Sequence, residues 1–437
     1  MRIIFFLSIL IIFTSCSFDN KTGIWNDQKT VVIPEQFSKL KSLEDNKKQD
    51  LKTSISKKDS LFLSSLKKNK NWNDPFFNNL NNTSNISFTE NEIYNLSNKI
   101  VNKKIKKNLL LHENKFVFND EKGIIYIYSR DIQKLSKYNF YKKKIKNFSL
   151  ELFYIIHKNK IIVSDNLGYV YCIDLRTSKL LWAKFFQIPF NSNIKISLDQ
   201  IFLANSKNDI LVLDLISGKK NWSFATDKNI FKSKFSNNLL INNNNIYLLN
   251  TNGSLYSINY ESKNLNWILS FKNQDDNVQA TFDGKITIID NNKILIVTED
   301  LISLHQASSG FKFWELKIDT ALNPIISNDL IFVLTKDNSV LALETATGNL
   351  VWSNDASKYQ KKEDRFLSRE KKLQLIDFKL VNNSLYFFTA NKIKKINAKT
   401  GVFISEFKLP TIIKTNVIFG SGLLYFLDKK NRLVTIG

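Results

Sequence analysis

One phrase recurs along most of this 437-residue chain and limits its fold more than any other feature. A polar residue is followed three positions later by Ser or Thr and usually by Gly next, with Trp four residues after that Gly. The copies are Asp174-Thr177-Ser178-Trp182, Asp214-Ser217-Gly218-Trp222, Asn259-Ser262-Lys263-Trp267, Gln306-Ser309-Gly310-Trp314 and Glu344-Thr347-Gly348-Trp352. A sixth, Asn397-Thr400-Gly401-Ser405, keeps the turn and loses the Trp. Successive copies are 40, 45, 47, 38 and 53 residues apart. Five of the seven tryptophans obey this phase, so the phrase marks a structural repeat rather than a catalytic motif.

Each copy follows two apolar runs joined by Asn, Asp or Gly, as in "KIIVSDNLGYVYCID" and "LIFVLTKDNSVLALE". Such pairs read as hairpins. The Ser/Thr-Gly phrase makes the next tight turn, with the Gly left-handed and the hydroxyl bonding local backbone. Ser178 and Lys263 replace that Gly at a cost of roughly 1 kcal/mol each. With one further strand before each pair, a unit has four antiparallel strands and two apolar faces. Only stacking such units in a circle buries both, which predicts an all-β, single β-propeller. The 13% aromatic content, with 34 Phe and 14 Tyr, suits strands.

Six phased copies give six blades, and 116–141 reads as a degenerate earlier one. The C-terminal "LLYFLDKKNRLVTIG" supplies two strands of a last blade before the chain stops. Eight four-stranded blades are expected, or seven if the first copy is not a blade. The missing outer strand would come from the N-terminal side, within 86–106. The position ten before each Trp is often small (Cys172, Ser257, Ala342), which suggests an inner strand crowded near the axis. The tryptophans are expected to pack between neighbouring blades.

The opening "MRIIFFLSILIIFTSC" has a short basic start, an apolar run from Ile3 to Phe13 and small residues before Cys16. The apolar run is too short to be a permanent membrane span. Its ending resembles the lipobox of bacterial lipoproteins, which implies acylation of Cys16 and, with Ser17 next, the outer membrane. An ordinary cleaved signal peptide is the alternative. Residues 1–15 are thus assigned to a signal peptide, 16–85 to a mobile polar tether and 86–437 to the propeller. Cys172 is the only other cysteine, so no intramolecular disulfide is expected once Cys16 is acylated. The formal charge of +23 invites nucleic acid as a partner. An exported chain whose lysines fall in short loop pieces argues against that; attraction to anionic lipid headgroups and genome drift both account for the charge.

The repeat phrase resembles the PQQ-type propeller repeat, and with the lipobox the chain is similar to the BamB-like outer-membrane assembly lipoproteins. The resemblance covers about 110–437 and the signal. It implies a non-catalytic scaffold with no cofactor, lipid-anchored on the periplasmic face of the outer membrane. That scaffold would be a monomer within the β-barrel assembly machinery. The tether is longer than this family leads one to expect, and no loop here matches its partner-binding residues. Two other readings stand beside it. A PQQ-dependent dehydrogenase carries the same repeat but needs an axial quinone pocket, a Ca²⁺ site and an Asp base, and here no vicinal Cys pair exists. A propeller that binds glycan or another envelope partner is the third. His112, His157 and His305 lack metal-like spacing, and Asp275-Asp276 and Glu363-Asp364 sit in charged loops. The charged insertion 358–374 lengthens one inter-blade connection. No Walker loop, nucleophile elbow or zinc signature is present.

Overall fold

The computed structural model describes residues 61–437 apart from 84, 92, 142–148, 229–232, 272–281, 291 and 356–374. Among these, thirty-two strands form eight four-stranded antiparallel sheets. Seven sheets each use one continuous stretch: 105–139, 152–185, 195–224, 238–270, 284–317, 325–355 and 375–408. These are blades 1 to 7, with strands a to d in chain order. Blade 8 takes its a, b and c strands from Ile418–Gly420, Leu423–Leu427 and Arg432–Ile436. Its d strand is Tyr94–Lys99, where Tyr94 pairs with Ile436 and Lys99 with Arg432. The a strands of neighbouring blades meet around an axis, and blade 8 meets blade 1 to close the ring. The all-β propeller, its eight blades and its N-terminal closing strand are as the repeat predicts, and 105–139 is a complete blade.

Burial follows from this stacking. The b and c strands are covered on both faces, so runs such as Ile210–Asp214 and Gln200–Ala204 are buried almost throughout. The d strands form the outer rim and are half exposed.

Each repeat turn is held by its first polar residue. Asp214 accepts from the Ser217 amide (2.7 Å) and hydroxyl (2.5 Å), and the Gly218 amide closes onto the Asp214 carbonyl at 2.9 Å. These bonds, led by the Ser217 hydroxyl, hold the Asp214 carboxyl below its ordinary range. The turn therefore presents a left-handed residue (Gly218 φ +67°) at the blade surface.

That surface receives the preceding blade's Trp. A Cβ on Gly218 would lie 2.4 Å from the Trp182 ring, and Gly310, Gly348 and Gly401 face Trp267, Trp314 and Trp352 in the same way. These four indoles also donate to the next blade, Trp182 to the Leu215 carbonyl (3.2 Å) and Trp352 to the Ala398 carbonyl (3.1 Å). Trp267 and Trp314 reach Ala307 and Thr345 equivalently. Trp222, whose counterpart position is Lys263 (φ +61°), makes no such bond among the described residues. Between blades 1 and 2 the pair becomes Ser136 and Ser178, bonded hydroxyl to hydroxyl. Aromatic packing takes over there and at the closure, with Phe140 stacked on Tyr171 at 4.3 Å and Phe116 against Tyr425 at 5.1 Å.

Two expectations need correction. The small residue ten before each Trp is not on the inner strand. Cys172, Ser257 and Ala342 lie on c strands directly opposite Trp182, Trp267 and Trp352, where a small side chain leaves room for the indole. Residues 61–85, assigned to the tether, are packed against the ring. Trp72 is 1% exposed and Asn85 fully buried. The earlier part of the tether, Cys16 and the signal peptide lie outside the described residues, as do the 358–374 insertion and both acidic pairs.

Lys263→Gly removes left-handed strain at a turn where four other blades place glycine, and should stabilise the ring by about 1 kcal/mol. Gly218→Ala should cost about 2–4 kcal/mol, from the same strain plus overpacking against Trp182. Urea unfolding midpoints should rank Lys263→Gly above the parent and Gly218→Ala below it.

Candidate functional site: the axial cavity and the segment that floors it

Each blade turns the free edge of its a strand toward the axis, and that edge carries backbone groups that need partners. They are satisfied in two tiers. In the first, an Asn or Asp at the start of one a strand bonds the next. Asn193 accepts from the Leu239 amide at 2.8 Å and donates to its carbonyl at 2.6 Å. Asn238 accepts from Ile286 (3.1 Å), Asp377 from Val417 (3.1 Å) and Asn416 from Leu109 (2.7 Å), the last across the closure.

The second tier is the segment 61–91. It crosses the end of the ring that carries the a–b turns and bonds every blade among the described residues. The Leu111, Ile156, Ile241 and Ile288 amides donate to the carbonyls of Trp72, Asn73, Asn79 and Leu80 at 2.8–3.1 Å. These donors lie two residues beyond those of the first tier in blades 1, 4 and 5, the period of a strand edge. Asp74 takes the ammonium of Lys195 on blade 3 at 2.6 Å. Phe62 and Ser64 reach blade 6, Asn85 and Ile86 reach blade 7, and Asn69 and Thr89 reach blade 8.

The segment leaves an axial cavity of about 940 Å³, floored by Trp72, Asp74, Phe76 and Asn81 and walled by residues of all eight blades. Its walls mix apolar groups such as Phe153 and Phe235 with Asn and charged side chains. The four carboxylates lining it are each held by a lysine. Besides Asp74–Lys195, Asp283 meets Lys285 at 2.9 Å, Glu299 meets Lys336 at 2.8 Å, and Asp377 pairs with Lys379. Lys195 is wholly buried, and burial pushes its ammonium down against the upward pull of Asp74. A Ca²⁺ and quinone site needs several oxygens converging on one point. These carboxylates sit on separate elements and are already neutralised, so the lining does not fit that group. Among the described residues no cluster of three His, Cys, Asp or Glu side chains has metal-binding geometry.

The sequence-named residues lie elsewhere. The five Trp and four Gly stand in the seams between blades. Cys172 is buried opposite Trp182, and burial pushes its thiol up to about 12. His305 bonds Gly310 and Ser303, and His112 bonds Asn73. Burial lowers the pKa of each imidazole, His157 included. The axial ring was present as a signal, since Asn108, Asn193, Asn238, Asn323, Asp377 and Asn416 all stand just before an inner apolar run. A chain rich in Asn everywhere conceals it.

Lys195→Met alone leaves Asp74 buried without a counter-ion, and should destabilise the protein by about 3–5 kcal/mol. Adding Asp74→Asn should restore most of that loss. Urea unfolding of the single and double variants measures both values, and equal losses would show that the pair does not anchor the segment.

The family described as outer membrane protein assembly factor BamB matches residues 121–282 and 267–435. No curated protein matches the chain. Among solved structures, BamB from Moraxella catarrhalis aligns with TM-score 0.60 at 14% identity, over 80% of this chain and 99% of that one. The computationally designed protein Ika8 aligns with TM-score 0.55 at 13% identity, over 78% and 98%. Quinohemoprotein alcohol dehydrogenase from Comamonas testosteroni aligns with TM-score 0.61 at 8% identity, over 84% and 80%. At these identities the structural likenesses establish the propeller fold and nothing finer.

Proposed function

The chain belongs to the PQQ-repeat family of outer membrane protein assembly factor BamB, and on that premise we propose that it is a non-catalytic scaffold. It acts in the assembly of β-barrel proteins at the outer membrane, held to the periplasmic face through a lipid on Cys16. The family match carries this reading. A ring whose inner strands are tied to one another and to the 61–91 segment offers a partner loops fixed at both ends.

The dehydrogenase reading draws on the likeness to a quinohemoprotein, and the cavity argues against it. Its carboxylates are engaged by lysines, and a cation and quinone entering there would have to displace those ammonium groups. The seam tryptophans pack on glycines of the next blade, away from the axis.

Affinity capture of the full chain from native membranes, followed by crosslinking mass spectrometry, should recover components of the barrel-assembly machinery. Recovery of none would overturn the scaffold reading. Titration with pyrroloquinoline quinone and Ca²⁺ should leave the quinone absorbance unchanged; a saturable shift would favour the enzyme. Cys16→Ala should move the chain from the detergent phase to the aqueous phase on Triton X-114 partition.

A further inference from the structure

The positive charge of this protein has a direction. On the end of the ring opposite the 61–91 segment, the b–c turns and inter-blade connections of blades 8 and 1 bring lysines together from three parts of the chain. Asn431 bonds the carbonyls of Val101 and Lys103 (2.8 and 2.7 Å), which sets Lys103 beside Lys430. The Lys429 amide bonds the Ile412 carbonyl (2.9 Å), and that of Lys414 bonds Leu427 (2.9 Å), which brings in the 409–417 connection. Lys104 pairs with Glu121 at 2.7 Å, and the charges of Lys104, Lys106 and Lys414 all depress the Glu121 carboxyl. The neighbouring Asp428 is buried and spent on Arg432. Across the same end, blades 5 and 6 surround Lys336 with Glu299, Asp300 and Asp319. A genome-wide preference for lysine would not sort charge in this way.

We propose that the rim of blades 8 and 1 is a docking surface for anionic phospholipid headgroups. The charges are ammonium groups spread over an exposed rim, and lysine is depleted from the cores of protein–protein interfaces. A headgroup layer needs only clustered positive charge near its surface. Ile412, 38% exposed among the lysines, supplies an apolar contact suited to the lipid interface. Lysine can also meet nucleic acid phosphates, but single-strand binders add aromatic side chains on which bases stack, and the rim residues named here include none. The arginine here, Arg432, is turned onto Asp428 and Thr411. The carboxylates around Lys336 are repelled by the same headgroups, which turns the blade 8–1 edge toward the bilayer.

Vesicle flotation tests this with the full chain carrying Cys16→Ser, so that no acyl chain contributes. The vesicles are phosphatidylcholine alone or with phosphatidylglycerol. The apolar leader is common to all variants and contributes equally on neutral vesicles. Binding should increase with phosphatidylglycerol and vanish as NaCl is raised to about 0.3 M. Reversing Lys103, Lys104, Lys414 and Lys430 to Glu should cut the phosphatidylglycerol-dependent binding at least tenfold, and changing the same four to Gln should also lower it. Reversing Lys179, Lys219, Lys220 and Lys399, which lie at the c–d turns of the other end, should leave it within about twofold, with fluorescence melts confirming that each variant folds. Equal loss in both reversal sets would reduce the effect to net charge and overturn the proposal. So would indifference to phosphatidylglycerol, or equally tight binding of polyglutamate or an oligonucleotide at matched charge.

Discussion

Eight sheets that converge on one axis turn eight free edges toward each other, and the fold depends on how those edges are satisfied. An unpaired backbone amide away from water costs about as much as a lost hydrogen bond. Here the inner amides are answered twice. Side chains such as Asn193, Asn238, Asp377 and Asn416 link four of the a strands to the next. Below them, the carbonyls of Trp72, Asn73, Asn79 and Leu80 serve four blades from one continuous segment. The N-terminal segment is therefore part of the ring's interior, and its passage leads directly into the strand that completes blade 8.

The periphery is held by different chemistry. Four of the seams use an indole laid on a left-handed glycine, which gives apolar contact and one hydrogen bond together. In the seams between blades 8 and 1 and between blades 1 and 2 the repeat tryptophan is missing, and Phe116, Tyr425, Phe140 and Tyr171 join one apolar cluster with Trp72 and Ile86. The closure thus relies on aromatic mass and on the incoming N-terminal chain. A seam lacking both supports would be the natural place for the ring to open.

These arrangements shape what the axis can do. The segment blocks one end, and the charged groups lining what remains are balanced by their neighbours. The cavity mixes apolar walls with charged groups that are already paired. The outer surfaces, by contrast, carry unbalanced charge and exposed apolar strands, which suits binding of large partners more than transformation of a small one.

Much of this was legible in the repeat. A turn needing a left-handed residue, followed at fixed distance by Trp, implies a blade that presses on its neighbour, because Gly218 and Trp182 make sense only together. The eight-fold count and the borrowed strand followed from strand pairs lacking an outer member. Local spacing could not reveal that Cys172 makes room for Trp182, since that depends on cross-strand register. It also could not separate the Asn at 193, 238 and 416 from the many solvated ones nearby, or show that polar 61–85 belongs inside. What the sequence by itself determined is the wheel, because periodic turns and apolar runs are local and repeat. Only the tertiary structure decided the axis, the plug and the sorting of charge, because those arise where residues hundreds of positions apart share one unsatisfied edge or one face.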